Sequence, residues 1–172
     1  MRQGSFIFRI CSPWRIFISR QASFFSDLSA AYSRVSFHGP KIFMGDLNAR
    51  IAYAQSGEAY IIGEFTFGSE HNANDPLSNR NLLVQLCFEQ ELRISNSFCN
   101  QPIEQRVSFF AIGATPFSDL VLANFATLDH VLCPQSWHNT CGEISTHMNI
   151  AFASHHLLMT ASMDLRVERT QK

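Results

Sequence analysis

Ile42-Phe43-Met44 is a continuous apolar run, preceded by Gly39-Pro40 and followed by Gly45-Asp46-Leu47-Asn48. The space is too short for a helix, and a run that is apolar at successive residues has no polar face to offer water. Such a run is satisfied as a short strand inside a sheet. It delivers a carboxylate and a carboxamide, two residues apart, at its carboxyl end, where layered α/β folds place their chemistry. The rest of the chain has to build a helix-and-sheet domain around that strand.

The chain has 172 residues and is 46% hydrophobic, with 16 Phe, enough to bury the core of one domain and too apolar for wholesale disorder. Phe6 to Cys11 reads as a strand. From Arg20 to Val35, Phe24, Leu28, Ala31 and Val35 recur at helical spacing, and Gly39-Pro40 bars continuation. Residues 54–79, rich in Gly, Ser, Asn and Glu, read as a long surface insertion. Ser78 or Asn79 can cap a second helix with Leu82, Leu83, Leu86, Cys87 and Gln90 on one face. Ile94 to Cys99, Arg106 to Phe110, Leu128 to Cys133 and His156 to Leu165 read as strands. The domain is expected over 6–165, with residues 1–5 and the tail 166–172 outside it.

Charge and cysteine content narrow the function classes. Residues 1–50 carry seven basic and two acidic side chains, and the remainder six and twelve, for a net charge of -1. That excludes a globally basic nucleic-acid binder, though eleven of the 13 cations are Arg, the type suited to phosphate. Five cysteines without a C-x-x-C pair make neither a disulfide framework nor a zinc ribbon, and a reducing compartment is the simpler reading. The string His138, Cys141, His147 has one Cys and is a weak zinc signal. No apolar run is long enough to span a membrane. The Arg- and Ser-rich start, with no acid before Asp27, also fits an organelle transit peptide.

Three elements carry chemistry. Asp46 and Asn48 offer a general base and a neutral donor, a pairing suited to phosphoryl transfer, although Asp and Asn beside Gly also make plain turns. Asp129 interrupts the apolar run Leu128 to Leu132, and an ionised Asp there has to be paired or exposed. Ser154-His155-His156 leads into the last strand, and one of its imidazoles can partner Asp129, which would fix the ring's tautomer.

Taken together, these elements resemble the endonuclease/exonuclease/phosphatase superfamily, and within it the apurinic-endonuclease-like domain of non-LTR retroelements. Met44-Gly45-Asp46-Leu47-Asn48-Ala49-Arg50-Ile51 resembles its Gly-Asp-(Phe/Leu)-Asn strand end. Asn79-Arg80-Asn81-Leu82-Leu83 resembles its helix start, and Leu128-Asp129-His130-Val131-Leu132 its Leu-Asp-(Tyr/His)-Val-Leu strand. Ala153-Ser154-His155 stands for its closing Ser-Asp-His, with Ser154 in the acid's place. The resemblance implies an α+β fold, a layered α/β sandwich incomplete at its N-terminus, because the early strands and metal-binding Glu of the family have no counterpart.

The resemblance also implies Mg²⁺-dependent phosphodiester hydrolysis that nicks DNA. Asp46 would activate water, Asn48 would hold the phosphate, and Asp129 would orient His155, which would contact the scissile phosphate. Ser154 would occupy the metal position. DNA is the implied partner, no membrane is involved, and the missing N-terminal half or an adjacent reverse transcriptase would complete a longer polyprotein, nuclear if retroelement-derived. A phosphatase acting on a small substrate and a catalytically silent remnant or binding fragment are the alternatives.

Overall fold

The computed structural model describes residues 18–36, 39–68, 74–111, 113, 124–150 and 153–164. The expected strand Phe6 to Cys11, both expected termini and Leu165 lie outside the described residues. Two helices, α1 (Ile18–Arg34) and α2 (Asn79–Glu89), accompany seven strands. These are β1 (Phe43–Asp46), β2 (Leu92–Ile94), β3 (Phe109–Phe110), β4 (Phe125–Ala126), β5 (Asp129–Pro134), β6 (Cys141–His147) and β7 (Leu158–Met163). β5 lies between β1 and β2, β3 pairs with β4, and β6 pairs with β7, all antiparallel. The architecture is therefore α+β.

β1 forms where the apolar run requires it, but at the edge of its sheet and only half-buried. The central strand of that sheet is β5, whose His130 to Cys133 are buried and which takes partners on both sides. α1 turns a different face inward from the one its spacing suggests. Phe25 is buried and Ala22, Leu28 and Tyr32 pack behind it, whereas Phe24 and Val35 are exposed. Both sets have helical spacing, so periodicity alone does not choose between them.

α2 starts as expected, with Ser78 Oγ accepting the Asn81 N–H. Its Leu83, Leu86 and Cys87 meet Leu92, Ile94 and Leu132 in the main core. Residues 54–68 contain no helix or named strand, yet they are not a surface insertion. Ile61 and Ile62 are buried in that same core, and Ile62 bridges to Ile94 in parallel. The polar residues of the segment dominate its composition and mask Tyr60-Ile61-Ile62, the part that is buried.

The expected strand Ile94 to Cys99 ends at Ile94 and becomes a 3-10 turn over Ser95–Phe98. Short polar side chains divert the backbone there: Ser97 Oγ donates to the Ile94 carbonyl at 2.6 Å, and Asn96 Oδ1 accepts the Val131 N–H at 3.1 Å. Of the expected strand Arg106 to Phe110, the regular part is confined to Phe109–Phe110, and β6 is not foreshadowed, since its Cys-Gly-Glu start carries little strand signal.

Gly63 is a close-approach position. A Cβ there would stand 2.3 Å from the Ser97 carbonyl oxygen and 2.8 Å from the Phe98 ring. The Ser97 carbonyl also accepts the Phe65 N–H at 2.9 Å, so it cannot simply withdraw. Gly63→Ala is expected to destabilise the fold by about 1–3 kcal/mol, read as a lower denaturation midpoint at unchanged m-value.

Candidate active site

Asp46 ends β1 and Asp129 begins β5, and the register makes them direct cross-strand partners. Like charges facing each other across a ladder repel. His156 stands between them: its Nδ1–H donates to Asp129 Oδ2 at 2.8 Å, and its Nε2 faces Asp46 Oδ2 at 3.7 Å. The bond to Asp129 fixes the ring's tautomer and orientation. The second distance is an ion-pair distance, too long for a hydrogen bond.

The partner of Asp129 is thus His156 and not His155. Adjacent residues in extended chain point to opposite sides. Here His156 bridges to Phe109 in antiparallel fashion, while Phe110 N–H donates to the His155 carbonyl and Leu157 N–H to the Ser108 carbonyl. His156 therefore turns to the carboxylates, with the Phe109 ring edge-on at 5.2 Å. His155 is exposed and rests edge-on to Phe110 at 5.3 Å. Ser154 is engaged locally. Its Oγ accepts the His156 N–H at 3.1 Å, a local turn that aims the imidazole.

Asn48 is held by its backbone. It adopts φ 52°, its N–H donates to Asp46 Oδ1 at 2.9 Å, and its carbonyl accepts Asn79 Nδ2 at 3.0 Å from the first residue of α2. Its side chain is exposed beside Asp46. Asp129 is held from behind by Ser108, fully buried, whose Oγ accepts the N–H groups of Leu128 and Asp129, each at 2.9 Å. Ser108 was missed by the sequence reading. Its one signal is a small hydroxyl between Val107 and Phe109. His130, next to Asp129, has a structural role: its Nε2–H donates to the Ala49 carbonyl at 2.8 Å, and burial holds the ring neutral against the pull of that bond and of Asp129.

Burial pushes the Asp46 carboxyl above the usual aspartate range, and Asp129 adds to the rise. The Asn48 N–H and the His156 charge offset only part of it. A carboxylate with a raised pKa is a better proton acceptor near neutrality. Because the folded value lies above the unfolded one, the stability contributed by this group is full at low pH and is lost as pH rises through the folded value. Asp46→Asn, which cannot ionise, is expected to melt no lower than wild type near pH 7, with any gain vanishing below about pH 4. Thermal melts across that range check it.

Among the described residues, no three His, Cys, Asp or Glu side chains gather to hold a metal ion. The zinc string is not assembled, since His147 Nε2 is engaged with Thr160 Oγ1 at 2.8 Å. No described helix is long and apolar enough to cross a membrane.

No protein-family model matches the chain, and no curated protein does. Solved structures do. A 3'-5' exonuclease (NExo) from Neisseria meningitidis is similar at TM-score 0.53 and 15% identity, over 84% of this chain and 52% of that one. A structure of 3' phosphatase NExo from Neisseria bound to product DNA hairpin is similar at TM-score 0.54, with the same identity and coverage. The chain spans about half the length of these structures. Its α+β fold is shared with these structures over 84% of this chain.

Proposed function

We propose that this chain carries the water-activating side of a phosphoester hydrolase that acts on DNA, of the retroelement-endonuclease kind. The observation that carries the reading is the Asp129–His156–Asp46 arrangement across the β1–β5 ladder. Asp46 accepts a proton from the attacking water. His156, as the imidazolium that Asp129 favours through its bond to Nδ1–H, turns Nε2–H toward the phosphate and offsets charge developing on a non-bridging oxygen. Asn48, pinned at its backbone on both sides, offers its amide to the same phosphate.

The pairing also moves the family motif by one residue. Ser154-His155-His156, not Ala153-Ser154-His155, then stands for Ser-Asp-His, and His155 occupies the acid's position. Magnesium is implied by the resemblance, but the residues described do not fit it: the carboxylates converge on His156, Ser154 Oγ is bound within its own turn, and no third ligand joins them.

One structural neighbour is a 3' phosphatase, which favours a second reading, removal of a 3' phosphate from a DNA end. One experiment separates the readings. The chain is incubated with supercoiled plasmid and with a 3'-phosphorylated hairpin, each with Mg²⁺ and with chelator, alongside Asp46→Asn. Nicking lost in the variant supports the endonuclease reading, and phosphate release without nicking supports the phosphatase reading. A folded chain inactive on both overturns the proposal and leaves a silent remnant or binding fragment. DNA is the proposed partner. An adjoining reverse transcriptase or an N-terminal half is a further proposal of the same reading, testable by adding those segments back.

A further inference from the structure

β5 carries Asp129 at its start and Cys133 four residues on, about 13 Å along the strand. Cys133 and Cys141 are neighbours there, and Cys99 lies close by. Cys133 is fully buried, and its thiol lies beside that of Cys141, the first residue of β6. Cys99 Sγ reaches the Ser95 carbonyl at 3.6 Å and the Gly142 carbonyl, next to Cys141, at 3.5 Å. All three are free thiols. Cys141 and Cys99 open onto a groove of about 560 Å³ that Arg93, His138 and Glu143 also line. The catalytic reading uses none of these residues.

We propose that Cys141 and Cys133 form a peroxide-reactive dithiol that closes to an intramolecular disulfide, with Cys141 as the attacking thiol and Cys133 as the resolving one. The division of roles follows from position. Cys141 is half-exposed on a groove wide enough for a small oxidant, whereas Cys133 lies behind it without solvent contact.

The surroundings prepare the same asymmetry. The Cys133 thiol hydrogen favours the thiolate on Cys141, burial opposes it, and the Ser95 hydroxyl helps, so the Cys141 thiol is held down to about 7 while that of Cys133 is pushed up. Ser95 Oγ is itself buried and has no hydrogen-bond partner of ordinary geometry, which leaves it to the thiolate beside it. Cys99 does not share this preparation, because burial pushes its thiol up. A thiolate near neutral pH is the nucleophilic form.

Two steps balance the reaction. The Cys141 thiolate attacks hydrogen peroxide, the O–O bond breaks, and the departing hydroxide takes a proton and leaves as water, with Cys141 now a sulfenic acid. Cys133 sulfur then attacks the sulfenic sulfur. The S–S bond forms, the S–O bond breaks, and the hydroxide leaves with the thiol proton as a second water. Two thiols are oxidised to one disulfide and one peroxide is reduced to two waters.

Tryptic mapping of the whole chain tests this directly. Cleavage after Arg93, Arg106 and Arg166 puts Cys133 and Cys141 on one peptide, 107–166, and Cys99 on another, 94–106. After treatment with hydrogen peroxide and alkylation of residual thiols, peptide 107–166 is expected to lose two hydrogens and to regain two alkylation sites on reduction. In unoxidised protein near pH 7, Cys141 is expected to alkylate about tenfold faster than Cys99. Cys133→Ala, which retains the buried volume more closely than a larger side chain, is expected to stop at a dimedone-reactive sulfenic acid on Cys141. A cross-link joining 107–166 to the peptide of any other cysteine would overturn the pairing. Equal alkylation of Cys99 and Cys141, or an unmodified 107–166 after peroxide, would overturn the proposal as a whole.

Discussion

His156→Ala is expected to lower hydrolysis of a DNA phosphoester by about 10²–10⁴-fold, while His155→Ala stays within a few-fold of wild type. The two residues are adjacent and chemically identical, so the contrast isolates geometry. His156 alone touches both carboxylates, at 2.8 Å and 3.7 Å, and losing its ring removes the group that turns toward the phosphate. His155 faces Phe110 on the other side of the strand and has no bond to either acid. Asp129→Asn is expected to act through the ring. An amide beside Nδ1 brings no charge to favour the imidazolium, so kcat should fall with KM little changed, provided chemistry is slow. Single-turnover assays on plasmid or a 3'-phosphorylated hairpin give the comparison. An active His156→Ala beside an inactive His155→Ala would reverse the assignment and restore the motif register read from the sequence.

How much of this was legible beforehand depends on whether a residue's role is set locally. Asp46, Asn48 and Asp129 stood out because charged or amide groups at the ends of apolar runs need a reason, and β1 and β5 bring the two acids into direct register. Ser78 as a helix cap was legible for the same reason. The choice between His155 and His156 was not local. It depends on which side of the chain faces the β1–β5 ladder, and that is fixed by the Phe109–His156 bridge and the Ser154 turn. A slip of one residue reverses every side chain in an extended segment, so a motif matched one position early names the wrong imidazole. Ile61 and Ile62 were misjudged on similar grounds, since what buries them is Ile94, more than thirty residues away in sequence. Ser108 was invisible because its work is two hydrogen bonds to backbone.

The largest loss of stability is expected at Glu58. Arg80, 2% exposed on α2, forks onto Glu58, 7% exposed, with Nη1 donating to Oε1 at 2.6 Å and Nη2 to Oε2. The Gln55 N–H adds a bond to Oε2 at 2.8 Å, and Arg80 Nη2 also reaches the Tyr53 carbonyl at 3.3 Å. Removing one partner of such a pair strands the other charge away from water. Glu58→Ala is therefore expected to cost about 3–5 kcal/mol, a fall in Tm on the order of 10 °C for a domain of this size. Replacing both partners, as in Glu58→Leu with Arg80→Met, should recover most of the loss, because no charge is then left unpaired. Burial pushes the Glu58 carboxyl up, but the bonds from Arg80 and Gln55 and the guanidinium charge outweigh it, and the net shift is downward. A folded value below the unfolded one gives stability that is complete above the ordinary glutamate range and is lost as pH falls through the folded value. The gap between wild type and Glu58→Ala should accordingly narrow on acidification, and denaturant titrations at neutral and acid pH measure it. The effect extends to the candidate site, since Asn79, one residue before Arg80, donates to the Asn48 carbonyl. An α2 start released from Glu58 would loosen the amide proposed to hold the phosphate, and Glu58→Ala should raise KM for DNA even at temperatures where the chain stays folded.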